Sequence, residues 1–217
     1  MSHQPTEQSF LKDVAEHEMH VMHEDGLYRH IRFKKPGTSC MYFDLITYPG
    51  YLVYSGDMGC YVFSRLLDMF EFFRADRQYQ KGNGLRINRS YWSEKLQAVD
   101  GNRSHIEGVK EFDEDKFTRN VMEYLVRWIR ENAYRTTKDE RRELWDAVIN
   151  EVVEADGDSG GYRKQTAAHD FDHRLNKNIT FYFRDFFEYD CTRYTYRFLW
   201  CCYALAWGVA KYDEAKP

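Results

Sequence analysis

A chain of 217 residues with 43% hydrophobic and 17% aromatic side chains has ample material for a core, which excludes an intrinsically disordered protein. Its formal net charge of −4 excludes a protein that coats nucleic acid through bulk positive charge, while local basic patches stay open. The longest apolar run, Phe198 to Ala210, falls short of the roughly 20 residues that cross a bilayer, and Met1 to Gln8 lacks the basic and apolar regions of a signal peptide, so a cytoplasmic protein without a membrane partner is expected.

The length fits one continuous core, so the expected fold is a single α+β domain over 1–217, divided at most into a sheet part, 1–76, and a helical part, 89–217. Phe10, Val14, His17 and Val21 recur at helical spacing and predict a helix over about 7–23. Leu27 to Phe33 then alternates, and after Lys34-Lys35-Pro36-Gly37 a second strand, Met41 to Tyr48, runs into Pro49-Gly50. That pair suits a type II turn, because proline presets φ and glycine accepts a positive one. Tyr51 to Ser55 returns, Gly56-Asp57-Met58-Gly59 turns again, and Cys60 to Phe63 follows, giving a three- to four-stranded antiparallel meander.

The remaining two-thirds reads as mainly helical and packed on that meander. Leu66, Met69, Phe70 and Phe73 mark one helix, and Asp76 to Asn88 is a polar linker. Ser90 is placed to cap a helix through Tyr91, Trp92, Leu96 and Val99, and Asp100 to Gly108 is a loop. Asp113 to Asn132 carries a wide apolar stripe of Phe117, Val121, Tyr124, Leu125, Trp128 and Ile129. Lys138 to Ala155 repeats the pattern up to the acidic glycine segment Asp156 to Gly161. Aromatic segments Thr180 to Tyr189 and Thr192 to Tyr212 close the chain, the second as a core helix.

Neither GxxxxGK[ST] nor GxGxxG occurs, which argues against a P-loop or a dinucleotide site, and HExxH is also missing. The five cysteines, Cys40, Cys60, Cys191, Cys201 and Cys202, show no CxxC spacing, so free thiols are expected, the adjacent pair as core residues. His169 and His173 would share a metal if both lay on one helix, but no third ligand stands near them. His17, His20 and His23 fall on the first helix as surface or half-buried residues. No metal and no cofactor is assigned.

Asp44 interrupts an apolar strand and Asp57 sits in a glycine-flanked turn; paired carboxylates can do acid–base work or hold a metal. The plainer reading gives Asp57 a turn role and Asp44 either solvent or a cross-strand base, Arg29, Arg32 or another base across the sheet. Arg184, Arg193 and Arg197 interleave with Phe183, Tyr194 and Tyr196, residue types that stack on bases, that anchor protein interfaces, and that equally edge a buried helix.

Tyr28-Arg29-His30-Ile31-Arg32-Phe33, Phe43 to Leu52 and Tyr54-Ser55-Gly56-Asp57-Met58-Gly59, with Leu85 to Asn88, Tyr91 to Lys95 and Tyr194 to Tyr203, resemble an uncharacterised protein family of tailed bacteriophages and prophages. The segment from about Gly101 to Asn178 matches in character only. The resemblance implies a phage genome in a bacterial cytoplasm and carries over no catalytic residue. The expected function is therefore a non-enzymatic accessory protein that binds a host protein complex, of the anti-restriction or anti-CRISPR kind. A nucleic-acid or nucleotide binder, or an enzyme with an Asp-based site, is the alternative, and a small virion component is a third. The candidate binding residues are Tyr48, Tyr51, Asp57, Arg193, Tyr194 and Arg197.

Overall fold

The computed structural model describes residues 4–78, 84–100, 108–155 and 161–216. Most of the expected loops at Asp100 to Gly108 and Asp156 to Gly161, and the middle of the Asp76 to Asn88 linker, lie outside them. The fold is mixed α and β, and the chain divides into two compact units, 1–110 with 194–217 and 111–193.

In the first unit, α1 (Glu7–Asp13) precedes strands β1 (Glu18–Asp25), β2 (Tyr28–Lys34), β3 (Phe43–Tyr48), β4 (Tyr51–Gly56) and β5 (Gly59–Ser64). Helices α2 (Met69–Gln78) and α3 (Arg89–Ser93) lead to β6 (Leu96–Val99). All six strands form one antiparallel meander in the order β1 to β6, so the antiparallel sheet is as expected but has six strands rather than three or four.

Both added strands replace expected helix. The helix predicted over 7–23 stops at Asp13, and Val21, expected on its apolar face, is 49% exposed on β1. Phe10 and Val14 are buried at i,i+4, so the helical period is real but short; beyond it the chain satisfies its backbone groups along the free edge of β2. Likewise α3 is capped by Asn88 rather than Ser90 and ends at Ser93, after which Leu96 pairs with Phe63 and Val99 with Tyr61.

The inner face of the sheet presents Ile31, Phe33, Phe43, Leu45, Leu52, Tyr54, Tyr61 and Phe63, every one buried. Against it lie α1, α2, α3 and the last helix, α7 (Tyr196–Glu214), which supplies Phe198, Trp200, Cys201, Cys202, Leu205 and Val209. Burying one such large side chain contributes about 1.5–3 kcal/mol. Gly208 lets α7 approach closely: a Cβ there would stand 2.9 Å from a Leu45 methyl carbon. The predicted core helix is thus confirmed, although Thr192 to Tyr194 is a strand and Thr195 is its N-cap.

Among the described residues, the Tyr54 hydroxyl is one of the buried polar groups left unsatisfied. Tyr54 is fully buried, its hydroxyl has no hydrogen-bond partner, and burial holds its phenol well above its ordinary pKa. Because an unbonded buried hydroxyl is a net cost, Tyr54→Phe should raise stability by about 1 kcal/mol, read as a higher urea midpoint at unchanged slope. A lower midpoint would show that the hydroxyl is bonded after all.

The second unit has its own core. After β7 (Lys110–Phe112), α4 (Glu114–Asn132) and α5 (Lys138–Val148), the latter continued by a π-helical turn at Ile149–Val153, come α6 (Tyr162–Asp170), β8 (Asp172–Asn176), β9 (Ile179–Tyr182), a 3₁₀ turn at Phe186–Glu188 and β10 (Thr192–Tyr194). Phe117, Val121 and Leu125 of the expected α4 stripe are buried against Leu144, Val148, Phe171, Phe181, Phe183 and Phe186. Asp113 caps α4 and also donates its N–H to the Cys191 carbonyl at 2.9 Å, while Arg193 meets Glu111 at 2.8 Å, so the ends of this unit are held together. No described helix is long and apolar enough to cross a membrane.

Candidate functional site

Strand alternation puts every second residue of the meander on the face opposite the core. Register then sorts those residues into three rows across the sheet. The first is polar, running His20, Arg32, Asp44, Ser55, Cys60 from β1 to β5. The second is mainly aliphatic, with His30, Ile46, Val53, Val62 and Ala98. The third is aromatic: Tyr48 pairs directly with Tyr51, and Tyr28 shares their face. Ile46, Val53 and Val62 are half-buried and stand outside both core clusters.

The polar row is organised by Asp44. Its two carboxylate oxygens each accept from the Arg32 fork at 2.7 Å, and His30 Nε2 lies 3.1 Å from Oδ2. Burial pushes the Asp44 carboxyl up, but the Arg32 and His30 contacts outweigh it and hold it below the ordinary carboxylate value. A carboxylate so held is an anchor for a cation and a weak base. The expected pairing with Arg32 is present; the expectation of a solvent-facing Asp44 is not, since only 6% of it is exposed. Arg29 is on the core side and instead pairs with Asp68 at 2.8 Å.

The aromatic row owes its geometry to the turn. Tyr48 and Tyr51 flank Pro49-Gly50, and Gly50 has the φ of +87° that the central glycine of such a turn requires. A two-residue connection places the tyrosines opposite each other, and their rings stack at 4.9 Å with planes 20° apart. They remain 40% and 37% exposed.

The other candidates are dispersed. Asp57 lies beyond the far end of β4, about 20 Å from Tyr51 at the rise of an extended strand; its carboxylate accepts from the Met41 N–H at 2.5 Å, and Met41 itself has φ of +58°. Its carbonyl accepts from Arg197 at 3.1 Å, so these two are brought together. Tyr194 is on β10, stacked on Phe198 at 5.6 Å with Arg89 and Lys110 over its ring, and Arg193 is bound to Glu111. Arg193, Tyr194 and Arg197 therefore do not form one helical face, because only Arg197 is on the helix. His169 ends α6 while His173 is on β8, which removes the shared helical turn that metal chelation would need. His17 follows α1 and bonds the Met41 carbonyl at 2.9 Å; His20 and His23 are on β1.

All five thiols are free, with Cys201 and Cys202 fully buried as expected and pushed well above the ordinary thiol pKa by that burial. The role of His30 was the main omission of the sequence reading. Its position two residues before Arg32 on an alternating strand was the signal that placed both beside Asp44. Compared with known proteins, the chain matches no family model, no curated protein and no solved structure.

Proposed function

We propose that this chain is a phage-encoded accessory protein of the bacterial cytoplasm that binds a host protein complex through the outer face of its six-stranded sheet, in the manner of an inhibitor of restriction or CRISPR defence. The observation that carries the reading is the stacked, accessible Tyr48–Tyr51 pair beside the aliphatic row Ile46, Val53 and Val62. Tyrosine presents large rigid area with a polar tip, and residues of this type dominate binding energy at protein interfaces. A preformed stack loses little side-chain freedom on binding, which favours affinity. The Asp44 network, with Arg32 held by both carboxylate oxygens, borders the apolar centre as a polar rim.

The test is capture of the tagged protein from infected host cells. The wild type should recover one host complex in near-stoichiometric amount, and Tyr48→Ala with Tyr51→Ala should weaken capture at least about 30-fold, the loss of roughly 2 kcal/mol typical of a central aromatic anchor. Recovery of nothing by the wild type, or undiminished recovery by the double variant, would overturn the reading.

A further inference from the structure

The second unit contains two adjoining cavities that share a wall. The first, of about 300 Å³, is walled mainly by rings, with Phe183 and Phe186 buried and Tyr182 and Tyr189 beside them. The second, of about 370 Å³, is polar and is lined by Arg135, Asn132, Asn178 and Thr180, with Glu131 as its one carboxylate. Tyr182 and Arg184 line both.

Local structure explains why these groups meet. Alternation along β9 turns Ile179 and Phe181 into the core and leaves Thr180 and Tyr182 outside. Arg184 follows, its N–H fixed by the Tyr124 hydroxyl at 2.9 Å and one guanidinium nitrogen by the Tyr182 hydroxyl at 2.7 Å. Asp185 then adopts a left-handed φ of +55°, which aspartate tolerates, and starts the 3₁₀ turn that brings Phe186 under Tyr189, their rings stacked at 5.1 Å.

Two arginines, Arg135 and Arg184, line the polar cavity. Arg29, Arg32, Arg74 and Arg193 each meet a carboxylate. Neither Arg135 nor Arg184 makes an ion pair with a described carboxylate, although Asp185 lies on the rim of the first cavity and Glu131 in the second. Two arginines without carboxylate partners, beside the amides of Asn132 and Asn178, offer forked donors to a multivalent anion. The ring-walled cavity next to them suits a flat π system, and the two acidic side chains supply acceptors for hydroxyl or amino groups.

We propose that these joined cavities bind a nucleoside phosphate, the base among Tyr182, Phe186 and Tyr189 and the phosphate between Arg184 and Arg135. The site lies wholly within the second unit. It takes either a free nucleotide or the phosphorylated end of a single strand, which share this chemistry.

Calorimetric titration of the full chain with AMP and UMP tests it. At least one should bind with one-to-one stoichiometry, and adenosine or inorganic phosphate alone should bind at least tenfold more weakly. Arg184→Gln and Arg135→Gln, both at exposed positions, should each weaken the nucleotide at least tenfold, and Arg135→Gln, which lines the polar cavity alone, should do so without changing adenosine binding. A short oligonucleotide carrying a 5′-phosphate identifies the source: tighter binding than the mononucleotide assigns a strand end, equal or weaker binding a free nucleotide. No binding of either mononucleotide, or binding indifferent to both arginine substitutions, would overturn the proposal.

Discussion

Asp68→Ala is expected to lower stability by about 3–5 kcal/mol, the cost of removing one partner from a buried ion pair. Arg29 is only 8% exposed, and both of its terminal nitrogens bond the two Asp68 oxygens at 2.8 and 3.0 Å. Without the carboxylate the guanidinium stays buried between the rings of Phe70 and Tyr212, 4.9 and 5.7 Å away, which compensate only partly for lost hydration. Asp68 also accepts from the Phe70 N–H at 2.9 Å at the start of α2, a helix-start bond worth about a further 1 kcal/mol. Replacing both partners together, Arg29→Met with Asp68→Leu, should cost less than Asp68→Ala alone, since it removes the stranded charge as well. Urea unfolding at pH 7 checks this; a single variant within about 0.5 kcal/mol of wild type, the range of an ordinary surface change, would refute the buried-pair account.

The same group sets an acid limb. Burial raises the Asp68 carboxyl, but the bonds from Arg29 and the Phe70 N–H outweigh it, so its folded pKa lies below the ordinary value. The unfolded chain therefore takes up the proton first as pH falls. The stabilisation is complete above the unfolded value of about 3.9 and is lost as pH drops through the lower folded value. Asp44 carries a shift of the same sign. Asp68→Asn should flatten the decline in stability below about pH 4, where the wild-type carboxylate is being protonated.

What the sequence made legible follows from the range of the interactions involved. Pro49-Gly50 and the alternation of β2 to β5 are local signals, and the structure matches them nearly residue for residue. The strands β1 and β6 were hidden because Phe10 to Val21 also satisfies a helical period, and Leu96 to Val99 is too short to show its own; only pairing with β2 and β5 decides them. For the candidate site, the pairing of Tyr48 with Tyr51 was readable from turn length. Its adjacency to Val62, two strands away, needed the full register. The aromatic segment Thr180 to Tyr189 was conspicuous, but its meeting with Arg135 and Asn132 across some 50 residues of chain had no local trace.

Trp200→Ala should be comparably severe, at about 3–5 kcal/mol for truncating a fully buried large aromatic. Its ring meets Phe10 edge-on at 5.0 Å and Phe43 at 5.8 Å, and its Nε1–H donates to Asp13 at 3.0 Å. One side chain thus joins α1, β3 and α7, elements from opposite ends of the sequence. Trp200→Phe separates the two contributions: it keeps most of the ring packing and gives up the Asp13 bond, so it should cost about 1–2 kcal/mol. Equal losses in the two variants, measured by urea unfolding, would assign the effect to the hydrogen bond and refute the packing account. The contacts of Trp200 thus span nearly the whole chain, from Phe10 to the last helix. The outer face, with Tyr48, Tyr51 and the Asp44 network, is carried by the same strands as the core beneath the sheet. Destabilisation by Trp200→Ala should weaken partner capture in proportion to the unfolded fraction, whereas Tyr48→Ala with Tyr51→Ala should weaken it far beyond the stability cost of about 1 kcal/mol or less that loss of a cross-strand aromatic pair carries.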